Sequence, residues 1–163
     1  MATEHEPDEG ERAAAPGSAL AGLRRRREEA AAKLYLDLAV PRLDPPVYVR
    51  YKPVDQRTLD LANKRARESK DPDRLVIANA VALSHACIGV FGEVDGQPEG
   101  NPEDWPKFDS RLRELLGLPE DASAVETVRT LYLTDGDVIA AASELAEWSG
   151  MVARRTDEEI AGN

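Results

Sequence analysis

The sequence predicts a mainly helical α+β fold, with about five helices around one buried central helix and a small N-terminal β-hairpin. Three observations predict it. The run from Leu75 to Ile88 is apolar nearly all round, a composition that suits a helix buried by its neighbours. Two short stretches, Leu34–Val40 and Val47–Tyr51, alternate apolar and polar residues with the period of a half-buried strand, on either side of a Pro-containing turn. Helix start signals and apolar residues at helical spacing dominate the rest of the chain beyond Asp55.

The elements follow in order. Between Met1 and Arg12, five acids (Glu4, Glu6, Asp8, Glu9 and Glu11) face a single arginine, and Pro16-Gly17 come next. Nothing apolar offsets the cost of ordering such a segment, so residues 1–18 are expected to form a disordered acidic tail. Residues 19–33 read as an exposed helix or arm. The run Arg24–Arg27, the following Glu28 and Glu29, and a stretch of alanines favour a helix, and Arg24/Glu28 and Arg25/Glu29 fall at i,i+4. Residues 34–153 are expected to be one globular domain and residues 154–163 a flexible C-terminus.

Within that domain, Pro41 and Pro53 close the two strands of the hairpin. Asp55 can cap a helix through Leu59, Ala62 and Ala66. Asp71-Pro72 is a second start signal, for a central helix reaching Ile88. Gly89 to Pro106 is a turn-rich insert, in which Val90–Val94 can enter a tight turn at Asp95-Gly96. Asp109 opens a short helix ended by Gly117, and Ser123 with Glu126 forms a capping box. Thr134 with Asp137 starts the last long helix, whose face runs through Val138, Ala142, Leu145 and Val152.

Composition narrows the function classes. Of 163 residues, 42% are hydrophobic but only 5% aromatic, so few rings are available to hold a flat cofactor. A formal net charge of −10 repels phosphate backbones and anionic lipid surfaces, which argues against nucleic-acid and membrane partners. Cys87 is the only cysteine, no run approaches a membrane span, and the acidic N-terminus does not resemble a signal peptide. A cytoplasmic protein is expected.

Catalytic and metal-binding patterns are weak. The sequence contains no phosphate-binding Gly-rich motif and no Cys-x-x-Cys. Ser84-His85-x-Cys87 is the only cluster of nucleophile or ligand types. On one helix His85 and Cys87 would point roughly 200° apart, too far for a shared metal or proton. Acidic pairs such as Glu103/Asp104 and Asp135/Asp137 lie in turns or at helix starts, where solvation and the helix dipole account for them. No catalytic, cofactor or metal residue is therefore assigned, and a non-enzymatic binding protein is expected. Trp105 sits among Pro102, Glu103, Asp104 and Pro106, surroundings that are hard to bury, and is a candidate partner contact. Trp148 and Phe91 are the other two candidates.

Several stretches carry a resemblance. They are Leu36-Asp37-Leu38-Ala39-Val40-Pro41, Val47-Tyr48-Val49-Arg50-Tyr51-Lys52-Pro53-Val54, Ala86-Cys87-Ile88-Gly89-Val90-Phe91 with the Gly-rich insert, Phe108 to Gly117, and Glu144-Leu145-Ala146-Glu147-Trp148-Ser149. In order and spacing they resemble the tail assembly chaperones of siphovirus-like actinobacteriophages, over roughly Leu34 to Met151. The resemblance implies a chaperone that keeps the tape measure protein, and the tail tube protein with it, soluble in the host cytoplasm. Such a protein is not expected in the mature virion. The alternative is a structural virion component of the tail or connector, which would have to self-associate in a ring or tube.

Overall fold

A computed structural model describes residues 18–161 of the chain, with side chains as far as residue 155. The expected acidic tail, apart from its last residue, lies outside the described residues. The chain divides into two units, Met1–Leu34 and Tyr35–Asn163.

In the first unit, a turn over residues 18–22 leads into helix α1 (Leu23–Ala32). Gly22 supplies the left-handed conformation at the helix start, with φ 68°. The sequence spacing delivers its ion pairs, Arg24–Glu28 at 3.4 Å and Arg25–Glu29 at 3.9 Å. No residue of α1 is buried.

The second unit joins a curled antiparallel sheet to helices. Strands β1 (Leu36–Ala39), β2 (Val47–Tyr51), β3 (Cys87–Val94) and β4 (Gln97–Pro98) lie side by side in chain order. The helices are α2 (Gln56–Glu68), α3 (Arg74–Ala86), α4 (Ser110–Leu115), α5 (Ala124–Leu131) and α6 (Asp135–Ala161), with a 3-10 turn at Pro102–Asp104. The expected start signals are in place: Asp55 accepts from the Thr58 amide, Asp109 from Arg111 and Leu112, and Ser123 from Glu126. Asp95 and Gly96 both take positive φ and close β3 onto β4, as a two-residue hairpin turn requires.

Several details differ from the sequence expectation. The hairpin does not stand alone, because β3 adds to β2 from Val47↔Gly92 to Tyr51↔Cys87 and makes it one edge of a larger sheet. The central helix stops at Ala86 rather than Ile88; Cys87 turns extended, with ψ 124°, and continues as β3. The physical reason is that Cys87 and residues 89–92 pair with β2 across an irregularity at Ile88, which gives this stretch a strand partner in place of helical bonds. Nor do five helices surround α3. It packs against α2, α5 and α6, and the sheet takes the remaining side of the core. The helix start also falls two residues late, since Asp71 receives the Asp73 amide in a turn instead of capping the helix. At the other end α6 continues through Ala161.

Two apolar clusters hold the unit. The larger gathers Val49, Tyr51 and Val90 from the sheet with Leu83, Val128, Val138 and Leu145 from the helices. The smaller sets Ile77 and Val81 of α3 against Ala62 and Ala66 of α2. Helix α3 serves both, which is why its apolar residues run round most of its circumference.

Candidate functional site

The sheet has two faces with different chemistry. Leu36, Leu38, Val49 and Tyr51 point to the helices, while Tyr35, Asp37, Tyr48, Arg50 and Phe91 share the opposite face. Asp37 and Arg50 are direct cross-strand partners. Their side chains form a two-bond fork, Nε to Oδ1 at 2.8 Å and an η nitrogen to Oδ2 at 2.9 Å. That fork holds the Arg50 guanidinium over the Tyr35 ring, 3.6 Å from its centroid, with Trp105 at 5.0 Å and Phe91 at 5.5 Å. The hydrogen bonds to Asp37 raise the Arg50 pKa further above its ordinary value.

Phe91 and Trp105, two of the three expected contact residues, meet in this stack with centroids 4.2 Å apart and rings 18° from parallel. Tyr48 extends it on the other side of Phe91, at 5.5 Å. The expectation that Trp105 resists burial is overturned: it is 7% exposed. Its neighbouring prolines and acids turn outward in the insert, while the ring drops onto the sheet and its Nε1 donates to the Glu99 carbonyl at 2.8 Å. Gly89 makes room, since a Cβ there would lie 2.7 Å from that of Trp105. The insert is pinned at both ends, by Val90 N–H to Pro106 O and Glu99 N–H to Gly92 O. Phe91 and Trp105 therefore fasten the insert to the sheet and leave little surface for a partner.

Trp148 lies elsewhere, half-buried on α6. With Leu36, Glu144, Glu147 and Met151 it lines a shallow furrow, and the furrow continues past Glu144 along Leu38 and Pro41 to Asp137. Of the three expected contacts, Trp148 is the one with open surface.

Arg50, Asp37 and Tyr35 were legible only as alternating strand residues. The signal that could have singled them out is the hairpin register, which sets Asp37 opposite Arg50.

On the helix side, the Tyr51 and Tyr132 hydroxyls share a hydrogen bond of 2.7 Å in the core, close to Cys87. Burial raises all three acid dissociations: Tyr51 well above its ordinary value, Tyr132 to about 12 and the Cys87 thiol to about 12. A thiol held protonated in this way is no nucleophile near neutral pH. Cys87 opens β3 and His85 lies exposed in the last turn of α3, so the two fall on different elements rather than opposite sides of one helix. Among the described residues, no three His, Cys, Asp or Glu side chains gather where a metal ion could sit.

The buried phenols make a pH prediction. A raised folded pKa means that the native state keeps protons the unfolded chain releases, so stability falls as pH rises. Loss should begin near pH 9–10, where unfolded Cys and Tyr ionise, and continue to about 12. The urea midpoint should drop over that window, and should drop less in the Tyr51→Phe/Tyr132→Phe double variant, which removes both hydroxyls together. An equal drop in the two proteins would show that the pair does not titrate on unfolding.

Compared with protein-family models, with curated proteins and with solved structures, the chain matches none.

Proposed function

We propose that this chain is a non-enzymatic assembly chaperone that keeps phage tail proteins, the tape measure protein and the tube protein, soluble during tail assembly in the host cytoplasm. The observation that carries the proposal is the order of motifs quoted above, which resembles that of tail assembly chaperones. Their positions in the fold support treating them as one pattern. They fall on β1, β2, the α3–β3 junction with its insert, α4 and α6, and all of these belong to the second unit.

The physical task needs no reactive group. A long helical client with an apolar seam aggregates unless the seam is covered, and a small acidic protein can cover it with apolar contacts while its own charge keeps the complex dissolved. The test is to express a tape measure protein with and without this chain and to measure its soluble fraction. The soluble fraction should rise, and a complex should survive gel filtration, moderate salt and chelators. Unchanged solubility with no complex overturns the role. Recovery of the chain in purified particles would favour the structural virion component instead.

A further inference from the structure

Two surfaces of this chain complement each other in polarity and charge. The first is α1 with its leading turn. Leu20, Leu23, Ala31 and Leu34 recur on one side of it, and Arg27 sits in the same stripe. Leu20 and Leu23 are 61% and 52% exposed. A ten-residue helix with no buried side chain is marginal in water, so α1 gains from a surface to lie on. Residues 18–34 carry five cations against two anions, whereas the whole chain is at −10. Glu28 and Glu29 engage Arg24 and Arg25, and Arg26 binds the Ala19 carbonyl, so Arg27 is left without an ion-pair partner among the described residues.

The second surface is the furrow between β1 and α6. Its floor is Leu36, Leu38 and Trp148, with Met151, 40% exposed, at one end. Glu144 and Glu147 stand on its rim, and neither has an ion-pair partner among the described residues. Asp137 at the far end is already engaged by Arg42. From Asp137 to Met151 the furrow follows α6 for about 21 Å, and α1 is about 15 Å long.

We propose that two copies of the chain exchange arms, each α1 lying in the β1–α6 furrow of the other copy. The leucines of the arm cover Trp148 and Met151, and Arg27 reaches Glu144 and Glu147. The contact is reciprocal and closes as a two-fold dimer. Charge complementarity argues for a second copy, because the arm is basic in an otherwise acidic chain.

The test uses full-length chains and light scattering after size exclusion. The parent protein should have twice the chain mass at low salt and should lose dimer as salt rises to about 0.5 M. An arm variant (Arg26→Glu/Arg27→Glu) and a furrow variant (Glu144→Lys/Glu147→Lys) should each be monomeric alone, because each sets like charges together. Mixed in equal amounts they should form a heterodimer, because each arm then meets a furrow of opposite charge. A monomeric parent, variants that remain dimeric, or a mixture that stays monomeric would overturn the exchange. A second measurement avoids charge reversal: Leu23→Cys chains mixed with Met151→Cys chains should yield a disulfide-linked pair on mild oxidation. The native Cys87, 6% exposed, stays out of that reaction. Absence of the linked pair would equally overturn the proposal.

Discussion

Replacing Trp105 by Ala should cost about 3–5 kcal/mol, the range for emptying a buried indole site. In a protein whose total stability is of the order of 5–15 kcal/mol, that is a large fraction. The loss has several parts that go together. The stack on Phe91 disappears, the Glu99 carbonyl loses its indole donor, and the Arg50 guanidinium loses one of its three rings. With the ring gone, the insert between β3 and Pro106 loses its side-chain anchor and keeps its backbone ties to the sheet, so local opening there should also become easier. Thermal unfolding should show a midpoint roughly 10 °C lower, at about 2–4 °C per kcal/mol for a chain of this size.

Two comparisons make that expectation sharp. Trp148→Ala removes an equally large ring from a half-exposed position and should cost clearly less. Gly89→Ala should be harmful in the parent chain, where the new Cβ meets that of Trp105, and should stay harmful in the Trp105→Ala background, because alanine keeps that carbon. If Trp148→Ala proves the more damaging, the fastening role assigned to Trp105 is wrong.

Leu83→Ala should be comparably severe, at about 3–5 kcal/mol. Leu83 is 0% exposed and lies in the larger cluster among residues drawn from the sheet, α5 and α6. Walls contributed by several elements cannot all move inward, so most of the removed volume should remain as a cavity. Ile77→Ala is the informative contrast. Ile77, 8% exposed, belongs to the smaller cluster, where α2 presents only Ala62 and Ala66 and can settle closer. A cost nearer 2 kcal/mol is expected there. Chemical denaturation of both variants checks the ranking, and equal costs would show that the α2–α3 seam is as rigid as the main core.

The sequence by itself determined the local structure wherever a short-range rule decides the outcome. Asp55, Asp109 and Ser123 cap their helices because a side-chain oxygen reaches an amide two or three residues ahead, whatever the tertiary setting. Asp95-Gly96 turns because both residues accept positive φ. The Arg–Glu pairs of α1 form because four residues make about one helical turn. The mixed architecture and the apolar character of α3 were legible for the same reason.

Tertiary structure decided everything that depends on what lies across the chain. Residues 87 and 88 read as the end of an apolar helix, but β2 pairs with Cys87 and with the residues from Gly89 on, and that non-local pairing outweighs local pattern. Trp105 reads as a solvent-facing residue among prolines and acids, but burial depends on Gly89 and Phe91, which are far from it along the helix-and-loop pattern and adjacent to it in space. The same holds for the site. Trp148 is a core-edge residue by helical spacing alone, and becomes the floor of a furrow only because Leu36, more than a hundred positions earlier, comes to lie beside it. Sequence spacing carries information over one or two turns; which surfaces remain open is set by contacts between elements that no local period encodes.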